Sequence, residues 1–266
     1  LRLTHDSVTD EIKNAVDGFH DCQALQYPEL LKLSEDIGVD VLVDLAVYTG
    51  SSRPNHIALG LAPLQVNHLG YSGSSGAKGY DVIVADDFII PKGFEKYYSE
   101  KVIRLKYPII SSGMRDTSQL TPQDRTENGL PQDEIVFGCL ANPYKFSQKI
   151  ISAWAEILKA VPDGVLLMGV MAPDALRGVQ DSLERLGVAR SRVIQSAFQP
   201  TRDEHFARLK MVDIFLDTYP YNAHSLAADA VSAGVPLVTL VGNSFASRVA
   251  GSLNAFLGTS ELNAYS

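Results

Sequence analysis

The stretch Ile135-Val136-Phe137-Gly138-Cys139-Leu140-Ala141-Asn142-Pro143-Tyr144-Lys145 decides the fold. An apolar run of strand length is cut by Asn-Pro, and the helical period that follows from Gln148 to Ala160 makes the segment a strand, a tight loop and a helix. The alternation continues to the end of the chain. Strands are expected at Val165 to Met168, Arg192 to Gln195, Val212 to Leu216 and Pro236 to Leu240, and helices at Pro173 to Leu186, Arg202 to Lys210, Ser225 to Ala233 and Phe245 to Ala255. Strict alternation with short loops predicts a parallel sheet wrapped by helices on both faces.

Upstream of this series the pattern is looser. Asp10 to Val16 reads as a helix, and Val39 to Leu45, Leu64 to Leu69, Tyr80 to Ala85 and Val102 to Tyr107 read as strands. A polar loop, Gly70-Tyr71-Ser72-Gly73-Ser74-Ser75-Gly76, follows the second of them. From Ser111 to Leu130 no apolar period is sustained, so this segment reads as a linker. The expected organisation is α/β, with a first lobe over residues 1–128 and a second over 129–266.

With 266 residues and 45% apolar content, the chain can bury one large core or two modest ones. Its net charge of −8 argues against a nucleic-acid partner, which would need a basic face. Two cysteines, Cys22 and Cys139, make neither a disulfide framework nor a thiolate zinc site, and a reducing cytoplasm fits best. No signal peptide and no membrane span is legible. Beginning at Leu1 inside an apparent helical pattern, the sequence reads as a fragment of something longer.

In a doubly wound lobe, ligands bind beyond the carboxyl ends of the strands. Lys145 follows the first strand of the second lobe, where the Asn142-Pro143-Tyr144 turn aims it either into solvent or at a departing diphosphate. His224 and Ser225 fall where a helix must begin, so Ser225 is either a simple capping or first-turn residue or part of an anion site made by free amides. Asp229 lies four residues on. Its carboxylate is either a helix-dipole partner or an acceptor for two ribose hydroxyls. Arg202, His205 and Arg208 share one helical face, which alone would be a surface ion-pair face with Asp203 and Glu204. No Asp-x-Asp triplet is present to hold a metal on a sugar diphosphate, and no G-x-G-x-x-G opens a helix after the first strand. A nucleotide-sugar site without metal is the expectation.

In this order the motifs resemble the catalytic region of the O-linked N-acetylglucosaminyltransferase family, which includes the plant SPINDLY branch and bacterial relatives. The matching residues are Val41 to Leu45, Arg53, Ala62 to Val66, Leu69-Gly70-Tyr71, Ser75-Gly76, Tyr144-Lys145, Glu204-His205, Leu216-Asp217-Thr218, Tyr221 to His224, Asp229 and Ala246 to Ala250. The resemblance implies a GT-B architecture of two Rossmann-like lobes, the first incomplete at its N-terminus and the second lacking its terminal helices. It also implies inverting transfer of N-acetylglucosamine from UDP-GlcNAc to serine or threonine of a protein or peptide acceptor, with no cofactor and no metal.

By the same resemblance, Lys145 with Tyr144 beside it would be the catalytic pair, Lys145 neutralising the departing UDP. His224, Ser225 and the amides behind them would hold the phosphates, Asp229 the ribose, and Gln199, Pro200, Arg202, His205 and Arg208 the uridine, with Asn142 also in the nucleotide-sugar site. Leu69, Gly70 and Tyr71 of the first lobe would face the sugar, and tetratricopeptide repeats would lie upstream. Asp6 and Asp44 are the candidates for the acceptor's base. The chain departs from the family pattern at Gly60, Ser72, Ala141 and Leu226, the last removing a hydroxyl beside the phosphates. A GT-B transferase or epimerase on a small molecule, and a non-catalytic nucleotide-sugar binder, are the other readings.

Overall fold

The computed structural model describes residues 6–50, 52–110 and 115–265. The chain divides into two compact units, residues 1–84 with 93–103, and residues 85–92 with 104–266. In the first, helix α1 (Ser7–Ala15) is capped by Asp6, and α2 (Tyr27–Ile37) is followed by β1 (Val41–Asp44) and the single turn α3 (Pro54–Ile57). Strands β2 (Leu64–Asn67), β3 (Val82–Asp86) and β4 (Lys101–Leu105) complete a four-stranded sheet in the order β1-β2-β3-β4. β1 pairs with β2, and β2 with β3, in parallel. Helix α2 was not expected from the sequence, although Gln26 and Glu29 form a capping box at its start and Gly38 ends it in the left-handed conformation. None of its residues is fully buried, although Tyr27, Leu30, Leu31 and Ser34 are half-buried.

The second unit holds β5 (Val136–Cys139), α4 (Gln148–Ala160), β6 (Val165–Met168), α5 (Pro173–Arg185), β7 (Val193–Gln195), α6 (Arg202–Leu209) and β8 (Ile214–Leu216). It ends with α7 (Ser225–Ser232), β9 (Leu237–Leu240), α8 (Val249–Leu257) and β10 (Asn263–Ala264). The six-stranded sheet runs β10-β9-β8-β5-β6-β7, with every neighbouring pair parallel. β5 and β6 are buried at every position, as central strands covered on both faces must be. Trp154 and Leu158 of α4 and Leu183 of α5 pack with Phe137, Leu166 and Met168 in one apolar cluster. Gly138 is required by close packing, because a Cβ there would lie 2.7 Å from the Val212 side chain. Arg192 belongs to a 3₁₀ turn before β7, and the helix expected over Phe245 to Ala255 is broken into a 3₁₀ turn, Phe245–Ser247, and α8.

The expected linker and the boundary at residue 128 need correction. Residues 111–114 lie outside the described residues, but 115–130 are bound to the second unit along their length. Arg115 N donates to Ser232 Oγ at 3.1 Å, and Thr117 Oγ1 to Ser232 O at 2.6 Å. Lys210 Nζ reaches back to Thr117 O and Leu120 O, and Gln123 N bonds Ala207 O. Arg125 donates to Met211 O at 2.7 Å and to Asp213 Oδ1 at 2.8 Å. The segment looks loose in sequence because polar contacts, rather than an apolar face, hold it. Arg125→Ala should therefore lower the unfolding free energy in urea by roughly 1–3 kcal/mol, whereas a linker residue would change it by less than about 0.5 kcal/mol.

Candidate functional site

The strand order of the second unit reverses between β5 and β8. From β5 the chain moves outward to β6 and β7, and from β8 it moves the other way to β9 and β10. Loops leaving the carboxyl ends of these two neighbours diverge and open a crevice between them. One loop carries Asn142 to Lys145, and the other carries Asp217 to His224.

In the first loop, Asn142 Oδ1 accepts from Tyr144 N at 3.3 Å and starts a 3₁₀ turn, Pro143–Lys145. Tyr144 is 75% exposed, with only an edge contact to the Tyr221 ring at 6.4 Å. Lys145 turns inward instead of extending into solvent. Its Nζ donates to Asn222 O at 2.7 Å and sits 4.0 Å from the Tyr221 ring centroid. Burial lowers its pKa to about 8, against the attraction of the Asp217 carboxylate.

Asp217, at the end of β8, is the organiser that the sequence reading did not single out. It is buried and accepts from Thr218 N at 2.7 Å, Ala223 N at 2.6 Å and Thr239 Oγ1 at 2.5 Å. Burial pushes its pKa up to about 7, and the three donors with the nearby Lys145 charge oppose the rise. One carboxylate thus ties both ends of the 218–223 loop together and to β9. Inside the loop, Asn222 is fully buried, donates to Thr218 O at 3.0 Å and leaves its own Oδ1 without a partner among the described residues. An aspartate closing an otherwise apolar strand was the available signal.

The loop delivers the chain into α7 with His224 as the N-cap residue and Ser225 as the first helical residue. His224 makes no side-chain capping bond; its Nε2 contacts Ala246 O at 3.2 Å and its ring stacks on Tyr221 at 4.8 Å. Burial, and secondarily the Lys145 charge, push its pKa down to about 4, so the ring is neutral near pH 7. The first ladder bonds run from Ala227 N and Ala228 N to His224 O, which leaves the Ser225 and Leu226 amides ahead of the ladder. Ser225 is exposed, whereas Leu226 packs against the core cluster. The helix start therefore presents amides, a hydroxyl and the positive dipole end.

Asp229, one turn along α7, does not stand alone. Its Oδ2 lies 3.2 Å from His205 Nε2, and its Oδ1 is 4.0 Å from Arg202. Arg208 Nη2 lies 2.6 Å from His205 Nδ1 and Nη1 donates to Ser196 Oγ at 3.1 Å. A guanidinium only donates, so His205 Nδ1 accepts and Nε2–H points to Asp229. The expected shared face is thus divided: Arg202 is half exposed, whereas Arg208 is buried and orients His205. Glu204 is engaged in a capping box with Thr201. Gln199 Oε1 accepts from Gln123 at 2.8 Å, and Pro200 beside it is exposed.

In the first unit, Leu69 has φ +72 and Gly70 lies where a Cβ would come within 2.2 Å of Leu45 O, so this turn admits only glycine at position 70. Tyr71 packs edge-on against Tyr48 at 5.1 Å. Gly60, one of the departures from the family pattern, has φ +89, a conformation natural to glycine. Asp44 accepts from Ala46 N and the Tyr80 hydroxyl, and Asp6 caps α1 through Thr9, whose hydrogen bonds lower its pKa. Both candidate bases are thus occupied structurally. Among the described residues no cluster of three or more His, Cys, Asp or Glu could hold a metal, and no helix is long and apolar enough to cross a membrane.

Comparison with known proteins agrees with this geometry. The pattern described as Glycosyl transferase family 41 matches residues 7–110 and 106–266. The probable UDP-N-acetylglucosamine–peptide N-acetylglucosaminyltransferase SEC of Arabidopsis thaliana is 32% identical over 91% of this chain, which spans 25% of that protein. The correspondingly named SPINDLY of Oryza sativa subsp. japonica is 27% identical over 93% of the chain, which spans 27% of it. An O-GlcNAc transferase mutant from Thermobaculum terrenum superposes with a TM-score of 0.85 at 29% identity, covering 99% of this chain and 50% of that one. A glycosyltransferase from Rickettsia africae, at 13% identity and a TM-score of 0.57 over 97% of this chain and 80% of its own, shares the fold alone. The chain thus spans about a quarter of the curated relatives it matches. Its fold is of the GT-B class, and it belongs to glycosyl transferase family 41.

Proposed function

We propose that this chain is the UDP-sugar-handling part of an inverting, metal-independent transferase that moves N-acetylglucosamine from UDP-GlcNAc to serine or threonine hydroxyls of protein acceptors. The observation that carries the reading is the pairing, across the β5/β8 reversal, of an inward-turned lysine with the open N-terminus of α7. The names of the Arabidopsis and Thermobaculum relatives supply the sugar and, for the former, the peptide acceptor.

The proposed chemistry follows from charge. Breaking the anomeric bond builds negative charge on the diphosphate, and a fixed lysine and oriented amides stabilise that charge as it develops. Lys145 exchanges its Asn222 carbonyl for a phosphate oxygen, while the Ser225 and Leu226 amides and the Ser225 hydroxyl take the others. Because Leu226 brings no hydroxyl, Lys145 and the backbone carry more of this task. Asp229, held by His205, takes the ribose; Arg202, Gln199 and Pro200 border the uridine, and Arg208 acts through His205. Asn142 and Tyr144 shape the turn that aims Lys145. The full protein works in the cytoplasm with tetratricopeptide repeats upstream, uses no cofactor and contacts neither nucleic acid nor membrane.

UDP should stabilise the protein thermally where AMP and NAD do not, since a ligand at a hundred times its dissociation constant adds about 2.7 kcal/mol. Stabilisation by NAD alone would contradict the reading. The UDP affinity measured by calorimetry should be unchanged by EDTA, and a collapse on chelation would reveal a required metal. Lys145→Met in the full-length protein should cut transfer by on the order of 10²-fold, with a much smaller loss of UDP-sugar affinity. Equal losses would make Lys145 a uniform binder.

The pH dependence has a defined sign. In the free protein Lys145 loses its proton as pH rises through about 8, and a bound diphosphate favours the protonated form. UDP affinity should therefore weaken between pH 7 and pH 9, and Lys145→Met should flatten the dependence. His224, with its pKa near 4, is neutral across this window and contributes nothing to it.

A further inference from the structure

Gln123 lies in the segment 115–130, which reads as a linker in the sequence, yet it meets the candidate site at Gln199, and both residues belong to the second unit. Its backbone N–H donates to Ala207 O of α6 at 3.1 Å, which fixes it beside that helix. Its side-chain Nε2 donates to Gln199 Oε1 at 2.8 Å, and Gln199 Nε2 donates in turn to Ala197 O at 3.3 Å. Ala197 O also accepts from Arg208 Nη1 at 3.4 Å, and Arg208 leads through His205 to Asp229. One line of hydrogen bonds thus runs from Gln123 to the carboxylate that takes the ribose in the function proposed above. An amide on this line is placed to meet the base joined to that ribose.

The line also fixes which way the Gln199 amide faces. A backbone carbonyl only accepts, so the NH₂ of Gln199 faces Ala197 O and its oxygen faces Gln123. Gln123 must then donate, and it does so although its own Oε1 is buried without a partner among the described residues. Turning the Gln123 amide over would set two oxygens face to face and leave its NH₂ buried instead, so the observed orientation is the better one. The second N–H of Gln199 has no acceptor among the described residues. Its neighbours in the loop, Phe198 at 75% exposure and the exposed Pro200, add apolar surface. An aromatic face beside an unused N–H suits a flat heterocycle, which stacks by its face and is read at its edge.

We propose that Gln123 is a positioning residue for base selection, holding the Gln199 amide so that its second N–H donates to the O4 carbonyl of uracil. The proposal rests on the function stated above, which sets the uridine of a UDP-sugar beside Gln199. Cytosine carries an amino group where uracil has O4, so the same N–H would meet a donor and the fixed amide would reject it.

The test compares UDP with CDP by calorimetry in the full-length protein and its variants. UDP should bind the wild type about 10- to 100-fold more tightly than CDP, the scale of one donor left facing another. Gln123→Ala, which lets the Gln199 amide turn, should narrow that preference to within about threefold. Gln123→Glu should shift it towards CDP, because a carboxylate only accepts, draws the Gln199 NH₂ to itself and turns the amide oxygen to the base. Arg125→Ala, which loosens the same segment without touching the amide line, should keep the wild-type ratio. A wild-type ratio in Gln123→Ala, or an equal loss of the ratio in Arg125→Ala, would overturn the positioning role. If Gln123→Ala does not fold, Gln199→Ala should lose the preference, and retention of it there would also overturn the proposal. A wild type that takes UDP and CDP equally would contradict this inference and leave the reading of the site intact, whereas one that takes neither would strike that reading and this inference with it.

Discussion

The candidate site depends on the buried carboxylate of Asp217. A side chain of that charge inside a protein is costly unless donors surround it, and here the donors come from both ends of the 218–223 loop and from β9. The Ala223 amide and the Thr218 amide are drawn to the same oxygen, Oδ1, so the loop must fold back on itself. That fold aims the Asn222 carbonyl at Lys145 and starts α7 at His224. Removing the carboxylate would loosen the lysine's seat and the helix start together. These are the two features on which the proposed phosphate recognition rests.

Around this centre, burial lowers the pKa of both basic groups, and by different amounts. Lys145 is brought down to about 8 and His224 to about 4, so the site has one titratable cation near neutral pH instead of two. Farther along α7, polarity is ordered by geometry: Arg208 fixes the His205 tautomer, and His205 fixes the orientation of Asp229. The result is a carboxylate oriented by His205, with Arg202 4.0 Å from its Oδ1 as a long ion pair. Preorganisation by buried groups is the common device in both halves of the site.

The sequence was most legible where burial and periodicity agree. The strand Val165–Met168 and the helix Gln148–Ala160 were read to the residue, because β6 is apolar and buried throughout and α4 has a serine N-cap and a broad buried face. Helix α2, which only half-buries its apolar face, was missed, and 115–130 read as a linker because its anchors are Arg125, Thr117 and Lys210 rather than an apolar stripe. At the site, Lys145 and the start of α7 could be located from loop position alone. The division of labour between Arg202 and Arg208 was not read, although a spacing of six residues sets them about 120° apart on the helix, so that one faces the core and the other solvent. Asp44, one of the candidate bases, accepts from Ala46 N and the Tyr80 hydroxyl, contacts that its place in the sequence does not reveal.

The central claim is that a diphosphate seats on the start of α7 opposite Lys145. Titrating the isotope-labelled chain with UDP, and separately with uridine, and following backbone amide resonances tests it directly. The account predicts that UDP produces its largest shifts at Ser225 and Leu226, with a further shift at Lys145, and that uridine leaves these amides nearly unmoved while perturbing residues around Gln199 and His205. UDP shifts that bypass Ser225 and Leu226 and gather elsewhere in the chain would contradict it.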